Sequence, residues 1–255
     1  MKVSIFLIVF LLTLVPYDYP NNPIISNKLR EPRTDSTHYF PLELFIDSIE
    51  WADRIDVKID TSKVEWFSDD LWFSDEPVLY NYFLDREIYR LTWLRSFHPA
   101  IILRLERNNG NIILLEKKMT FIEPWKPVPE HRRQKLDTSM VQSSALKRAI
   151  LDGKIGTPME WNPDSSVVET NILKVSNKTW QEFQRLLEDK RFDRMPTTRA
   201  WGFGTDGSEW ILEKHFENEY HVVNRWSPDN NSYSNFREIG DFLIDLSSYK
   251  NEERY

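Results

Sequence analysis

The sequence predicts an α+β fold in which an antiparallel sheet, built from two hairpin-containing halves, carries helices on one face. Three observations point there. Between Glu87 and Thr120 three apolar-rich runs follow one another with short breaks. A second pair of runs, Glu209 to Phe216 and Tyr220 to Trp226, is separated by only a few residues. Two segments near the C-terminus place their apolar residues at helical spacing, Lys178 to Glu188 and Phe236 to Leu246.

Along the chain, the alternation of Ile55, Val57 and Ile59 within residues 38–64 suggests one or two strands, and Asp69-Asp70 is placed to open a helical turn in Trp66 to Phe73. The runs Ile88 to Leu94, Ala100 to Glu106 and Ile112 to Met119 read as a meander. Asn109-Gly110 between the last two suits a hairpin turn whose central residues both need positive φ. Pro124, Pro127 and Pro129 interrupt regular structure, and a helix over Thr138 to Leu151, closed by Gly153, is the element expected after them. A strand over Asn171 to Val175 precedes the first C-terminal helix, whose Thr179 and Glu182 have capping-box spacing. Trp201 to Gly207 is an aromatic, glycine-rich loop leading into the second hairpin, and it precedes a strand rather than the helix start that binds phosphate.

Lys2 followed by the apolar run Val3 to Val15 has the order of a secretory signal and is short for a membrane span. No pair of small residues marks a cleavage site after it, so residues 1–16 read as a signal peptide or a retained anchor that would attach the chain through residues 3–15. The prolines and asparagines of residues 17–37 read as an extended linker, leaving 38–250 as one globular domain. The expected address is exported: periplasmic, secreted or anchored at the N-terminus.

Composition removes several function classes. A net charge of −7 opposes sequence-independent nucleic-acid binding, and the short basic stretch His131, Arg132, Arg133, Lys135 reads as a solvated loop. The absence of cysteine excludes disulfides, thiolate metal sites, cysteine nucleophiles and lipid attachment to cysteine. No dinucleotide or phosphate-binding glycine loop, zinc-protease helix, calcium loop or serine elbow is present, and no cofactor or metal is expected. Aromatic residues make up 14% of the chain, which suits either a core of large rings or a contact surface.

Two clusters are candidates for chemistry. If Phe216 pairs with Tyr220, strand alternation puts Trp210, Leu212, Tyr220, Val222 and Trp226 on a core face. Glu213, His215, His221 and Arg225 then share the other face, where they could form an acid/base or ligand set, or an ordinary solvated surface. In the meander, Arg90, Arg95, His98 and Arg104 lie among Tyr89, Trp93 and Phe97, a setting in which guanidinium groups receive carboxylates or phosphates or pair with neighbouring glutamates.

The stretches Glu87-Ile88-Tyr89-Arg90-Leu91-Thr92-Trp93-Leu94-Arg95-Ser96-Phe97-His98-Pro99 and Asp206-Gly207-Ser208-Glu209-Trp210-Ile211-Leu212-Glu213, continuing with Tyr220 to Pro228, resemble the recurring motifs of uncharacterised exported bacterial proteins. The resemblance spans roughly residues 66 to 120 and 168 to 247 and implies bacterial origin and one domain built from both halves. It implies no catalytic residue. The functional expectation is a non-enzymatic binding or interaction domain at the cell envelope. The alternatives are an envelope hydrolase working through the polar hairpin face, and an immunity or inhibitor protein acting on a protein partner.

Overall fold

The structure, a computed structural model, describes residues 19–51, 54–59, 61–121, 125–127, 159–161, 166–198, 206–217, 219–229 and 231–255. The expected export segment at 1–16, the helix over 138–151 and most of the Trp201–Gly207 loop lie outside them. The described elements are β1 (Ile46–Trp51), β2 (Arg54–Ile59), α1 (Thr61–Phe73), β3 (Glu87–Arg95), β4 (His98–Asn108), β5 (Asn111–Phe121), β6 (Trp125–Pro127), β7 (Met159–Trp161), β8 (Ser166–Lys174), α2 (Asn177–Asp189), β9 (Ser208–Phe216), β10 (Glu219–Trp226) and α3 (Ser234–Leu246). The chain clusters into two compact units. One comprises residues up to 118 together with 169–255, and the other residues 119–168, within which β6 and β7 form a two-stranded antiparallel pair.

The fold is α+β, as the pattern predicts. Its centre is a six-stranded antiparallel sheet in the order β10-β9-β3-β4-β5-β8. The predicted meander and hairpin are both present. They join because β9 pairs with β3 in the register Leu91↔Leu212 and Trp93↔Trp210, making one sheet from segments more than a hundred residues apart. Asn109 and Gly110 have φ of +47° and +83°, the conformation their turn requires.

One face of the sheet carries the apolar core. Leu91, Trp93, Leu103, Trp210, Leu212 and Val223 meet Trp180, Phe183 and Leu187 of α2 and Phe236, Ile239 and Leu243 of α3. The cap of α2 is Ser176, one turn before the expected capping box, and its Oγ accepts from the Thr179 N–H at 3.1 Å. Gly240 lets α3 lie directly on the sheet, since a Cβ there would fall 2.5 Å from the Trp210 ring.

The second face is covered by residues that precede the sheet. Helix α1 begins eight residues before the predicted Asp69-Asp70 start, so those aspartates lie in its last turns rather than at its N-terminus. Its Val64, Phe67 and Leu71 are buried, with Phe67 packed edge-on against Phe40 and Phe45. The helix ends with Asp75 in the left-handed region (φ +51°), the Glu76 N–H donating to Leu71 O at 3.0 Å and the Asp75 N–H to Trp72 O at 3.1 Å. This paired C-terminal bonding reverses the chain and aims Glu76 at the sheet.

Residues 19–37 are not a free linker. Asn81 clamps them by accepting from the Asn22 N–H and donating to Asn22 O and Ser26 Oγ, at 2.7 to 2.8 Å. Val78 N–H donates to Arg30 O, and Ser26 and Arg30 are wholly buried. Prolines and asparagines stop this strap from forming a regular element, yet backbone groups along it find partners across the fold. At the other end the folded chain runs past 250: Glu252 bonds Arg95 and Lys118, and Tyr255 O accepts from Ser208.

Candidate functional site

The second hairpin has a register one residue away from the expected one. Phe216 pairs with Glu219, and Val222 with Glu213, leaving two residues in the turn, of which Glu217 has φ +47°. A shift of one residue turns a strand over. Tyr220, Val222 and Asn224 therefore share a face with Glu213 and His215, while His221 and Arg225 lie with Trp210 and Leu212 on the helix side. The four-residue set Glu213, His215, His221, Arg225 is thus divided between the two faces. Trp226, expected beside Trp210, is opposite Glu209 on the second face.

On the helix side, the His221 Nε2 lies 3.1 Å from Phe192 O and its ring meets Phe192 edge-on. Burial lowers its pKa. Arg225 donates to Pro196 O, Thr197 O and Asn224 O, and lies 5.8 Å from the Phe236 ring. Both serve packing.

The second face gathers charge from four strands and from the residues just after α1. Register alone aligns Glu213, Arg90 and Arg104 in one row across β9, β3 and β4. Arg90 Nε donates to Glu213 at 2.6 Å, and its Nη1 donates to Pro77 O at 2.7 Å and lies 3.4 Å from Glu76. The Tyr220 hydroxyl donates to the other Glu213 oxygen at 2.8 Å. Arg104 and Lys117 each approach Glu76 at 2.8 Å, and Arg104 also approaches Glu106 at 3.3 Å.

Three cations, Arg90, Arg104 and Lys117, thus face three carboxylates, Glu76, Glu106 and Glu213, all under the strap and α1. Burial opposes ionisation of Glu76, but Arg104, then Arg90 and Lys117, outweigh it and hold the carboxyl below its usual range. Burial pushes the Glu213 carboxyl up, with Arg90 and Tyr220 pulling it back. The expectation that these polar residues belong to a solvated face fails because the sheet is covered on both sides.

His215 is fully buried at the edge of this cluster. Its Nε2 lies 3.2 Å from both the Leu84 N and the Leu84 O, and its Nδ1 lies 3.1 Å from Leu79 O and 2.6 Å from the Tyr19 hydroxyl. That hydroxyl donates to Glu219 O at 2.6 Å, tying the strap to both strands of the hairpin. Burial, followed by the nearby Arg30 charge, lowers the histidine to about 4. It is a neutral clasp rather than a base presented to solvent. Sequence reasoning named the histidine but missed Tyr19 and Arg30, which lie almost two hundred residues away.

The meander cluster also separates. Arg90 and Arg104 join the buried network. Arg95 donates through Nε and Nη2 to Pro99 O and through Nη1 to Glu252 at 2.7 Å, while exposed His98 meets the Tyr255 hydroxyl at 2.7 Å. These two anchor the C-terminal residues.

A solvent-facing cleft of about 530 Å³ is bordered by the strap and lined among others by Ile24, Thr34, Ser36, His38, Glu43 and Tyr80. Its wall mixes apolar side chains with hydroxyls, an imidazole and a carboxylate, which suits a ligand offering both apolar surface and hydrogen bonds. Ile24 on its lining is 81% exposed. Among the described residues no group of three or more histidines, aspartates or glutamates is placed to hold a metal ion, and no helix is long and apolar enough to cross a membrane. In comparisons with protein-family models, curated proteins and solved structures, nothing matches the chain.

Proposed function

We propose that this chain is a non-enzymatic binding domain of the cell envelope, delivered there by its N-terminal apolar segment, and that it engages its ligand at the cleft beside the strap. The observation that carries this reading is the closure of the Glu213–Arg90–Glu76 network. The ionisable groups that a hydrolase would use are buried, matched to one another and committed to holding the sheet to its cover. A carboxylate so enclosed cannot approach a substrate carbonyl or position a water. The cleft, by contrast, offers solvent-facing polar and apolar groups together.

The test is a thermal-shift and calorimetric screen of the full chain against envelope peptides, glycans and lipids, repeated with Ile24→Asp. Because Ile24 is exposed, this variant keeps the fold. A ligand whose affinity falls at least about tenfold, or ~1.4 kcal/mol, in the variant supports the reading. Turnover of an envelope substrate that is lost in Glu213→Gln at unchanged stability would overturn it.

A further inference from the structure

Among the described residues, Arg30 is a buried cation without a counter-charge. The strap holds it in the left-handed region, φ +69°, by its own N–H to Asn27 O at 2.9 Å and by Val78 N–H to its carbonyl at 3.0 Å. A non-glycine residue held there signals a position the fold over-determines. The side chain points inward and is 0% exposed. Its Nη1 is 3.5 Å from both ring nitrogens of neutral His215, a position over the ring rather than along a lone pair, and its carbon lies 5.9 Å from the Tyr19 ring.

Nε and Nη2 have no hydrogen-bond partner and are closed to water. Among the described residues no carboxylate lies within ion-pair distance of Arg30, and a further neighbouring charge is a second cation, Arg86. Burial first, and then Arg86, lower the Arg30 guanidinium to about 9, with the Tyr19 hydroxyl opposing them.

Arg90 on the same sheet face shows what the fold does for a buried guanidinium whose charge it matches internally, even though its Nη2 is left without a hydrogen bond. There Nε meets Glu213 and Nη1 meets Glu76 and Pro77 O. Arg30 is equally buried and has no such partner. An isolated buried charge is expensive, and the usual compensation is an anion. The unused edge also identifies the anion. Nε–H and the adjacent Nη2–H point the same way, forming the fork that takes the two oxygens of a carboxylate or phosphate side-on.

We propose that Arg30 is a binding residue for a small oxyanion, the carboxylate or phosphate group of a low-molecular-weight ligand, gripped by the Nε/Nη2 fork. The access route is the segment around residues 82–86, which has no regular structure. There Phe83, 45% exposed, stacks on His215 with ring centroids 6.0 Å apart. Arg86, with 35% of its side chain exposed and a 3.5 Å pairing to Glu106, supplies positive field at the mouth. The site stands independently of the cleft, which lies among other residues of the strap.

The experiment measures urea midpoints and calorimetric binding for the full chain in inorganic phosphate, in acetate, and in sodium chloride at matched ionic strength. Wild type is expected to gain stability saturably in phosphate or acetate beyond the chloride control, and whichever anion does so identifies the group. Arg30→Met, an apolar replacement of similar length, is expected to fold at least as well without anion and to show no response. Arg30→Lys, which lacks the fork, should bind at least about tenfold more weakly. Arg86→Gln should bind severalfold more weakly relative to its own stability in chloride, and Ile24→Asp should respond like wild type. Equal stabilisation of wild type by chloride, or an anion response of Arg30→Met parallel to that of wild type, would overturn the site.

Discussion

Acidification should release the strap through His215. The histidine titrates at about 4 in the folded chain, against 6.5 for the free side chain. The groups facing it are the Tyr19 hydroxyl and Arg30 from the strap, and Arg86 from the segment before β3, together with the Leu79 and Leu84 backbone. Neither of the two arginines welcomes a second positive charge. At pH 7 the ring is neutral in both states and nothing is lost. As pH falls below 6.5 the unfolded chain takes up a proton that the folded chain refuses until about 4, so stability declines across that window. A shift of this size corresponds to about 3 kcal/mol, a large share of the roughly 5–15 kcal/mol by which domains are stable.

Carboxylates contribute to the same profile with mixed sign. Glu76, held low, loses stabilisation as it is protonated, while Glu213, Glu209 and Asp70, all raised, act in the opposite direction. The informative quantity is therefore the difference between wild type and His215→Gln, whose amide can replace one donor and one acceptor but does not titrate. Urea unfolding at closely spaced pH values should show the two curves converging by about 3 kcal/mol between pH 7 and pH 4. Hydrogen-exchange protection factors, corrected for the intrinsic pH dependence of exchange, should fall for amides in residues 21–30 of wild type over the same interval. Parallel stability profiles for the two proteins would refute the role given to the imidazole.

Other substitutions probe the remaining framework. Glu213→Ala should cost about 3–5 kcal/mol by stranding Arg90, whereas Glu213→Leu with Arg90→Met should recover most of that loss in urea midpoints. A double variant as unstable as the single one would contradict the pairing. Gly240→Ala should lower stability by about 1–3 kcal/mol as the new methyl forces Trp210 away from α3, visible as a red-shifted tryptophan emission. Ser176→Ala should remove about 1 kcal/mol with no change elsewhere, because only the first turn of α2 depends on it. N-terminal sequencing of mature protein from fractionated cells should find the envelope form, beginning beyond Pro16 if the apolar segment is cleaved and at Met1 if it is retained.

The meander and the two C-terminal helices were legible because local periodicity decides them. Leu91, Trp93 and Leu103 alternate as a strand requires, and Trp180, Phe183 and Leu187 recur at helical spacing. The register of the second hairpin was not legible. Its turn residues, Glu217 and Asn218, lack the glycine that made Asn109-Gly110 recognisable, so a three-residue loop and a two-residue turn were equally open. The choice between them inverted the neighbours of Glu213. Burial of the charged face was equally hidden, since Arg90, Arg104 and Glu213 alternate with apolar residues just as solvated residues do. Only the strap, whose prolines and asparagines suggested slack chain, reveals that this face is covered. Arg90 and Glu213 were placed in different candidate sites, and a long-range strand pairing brings them into direct contact.

The clasp between Tyr19 and His215 has a consequence for the order in which the molecule can assemble. Closing a loop of almost two hundred residues is slow compared with forming a meander or a helix, and such non-local pairing is characteristic of late steps in folding. Because β9 lies between β3 and β10, the docking platform for the first described residues does not exist until the last hairpin has been synthesised. A nascent chain would therefore keep its leading segment undocked through most of translation, an extended state that export machinery could engage before tertiary structure closes over it.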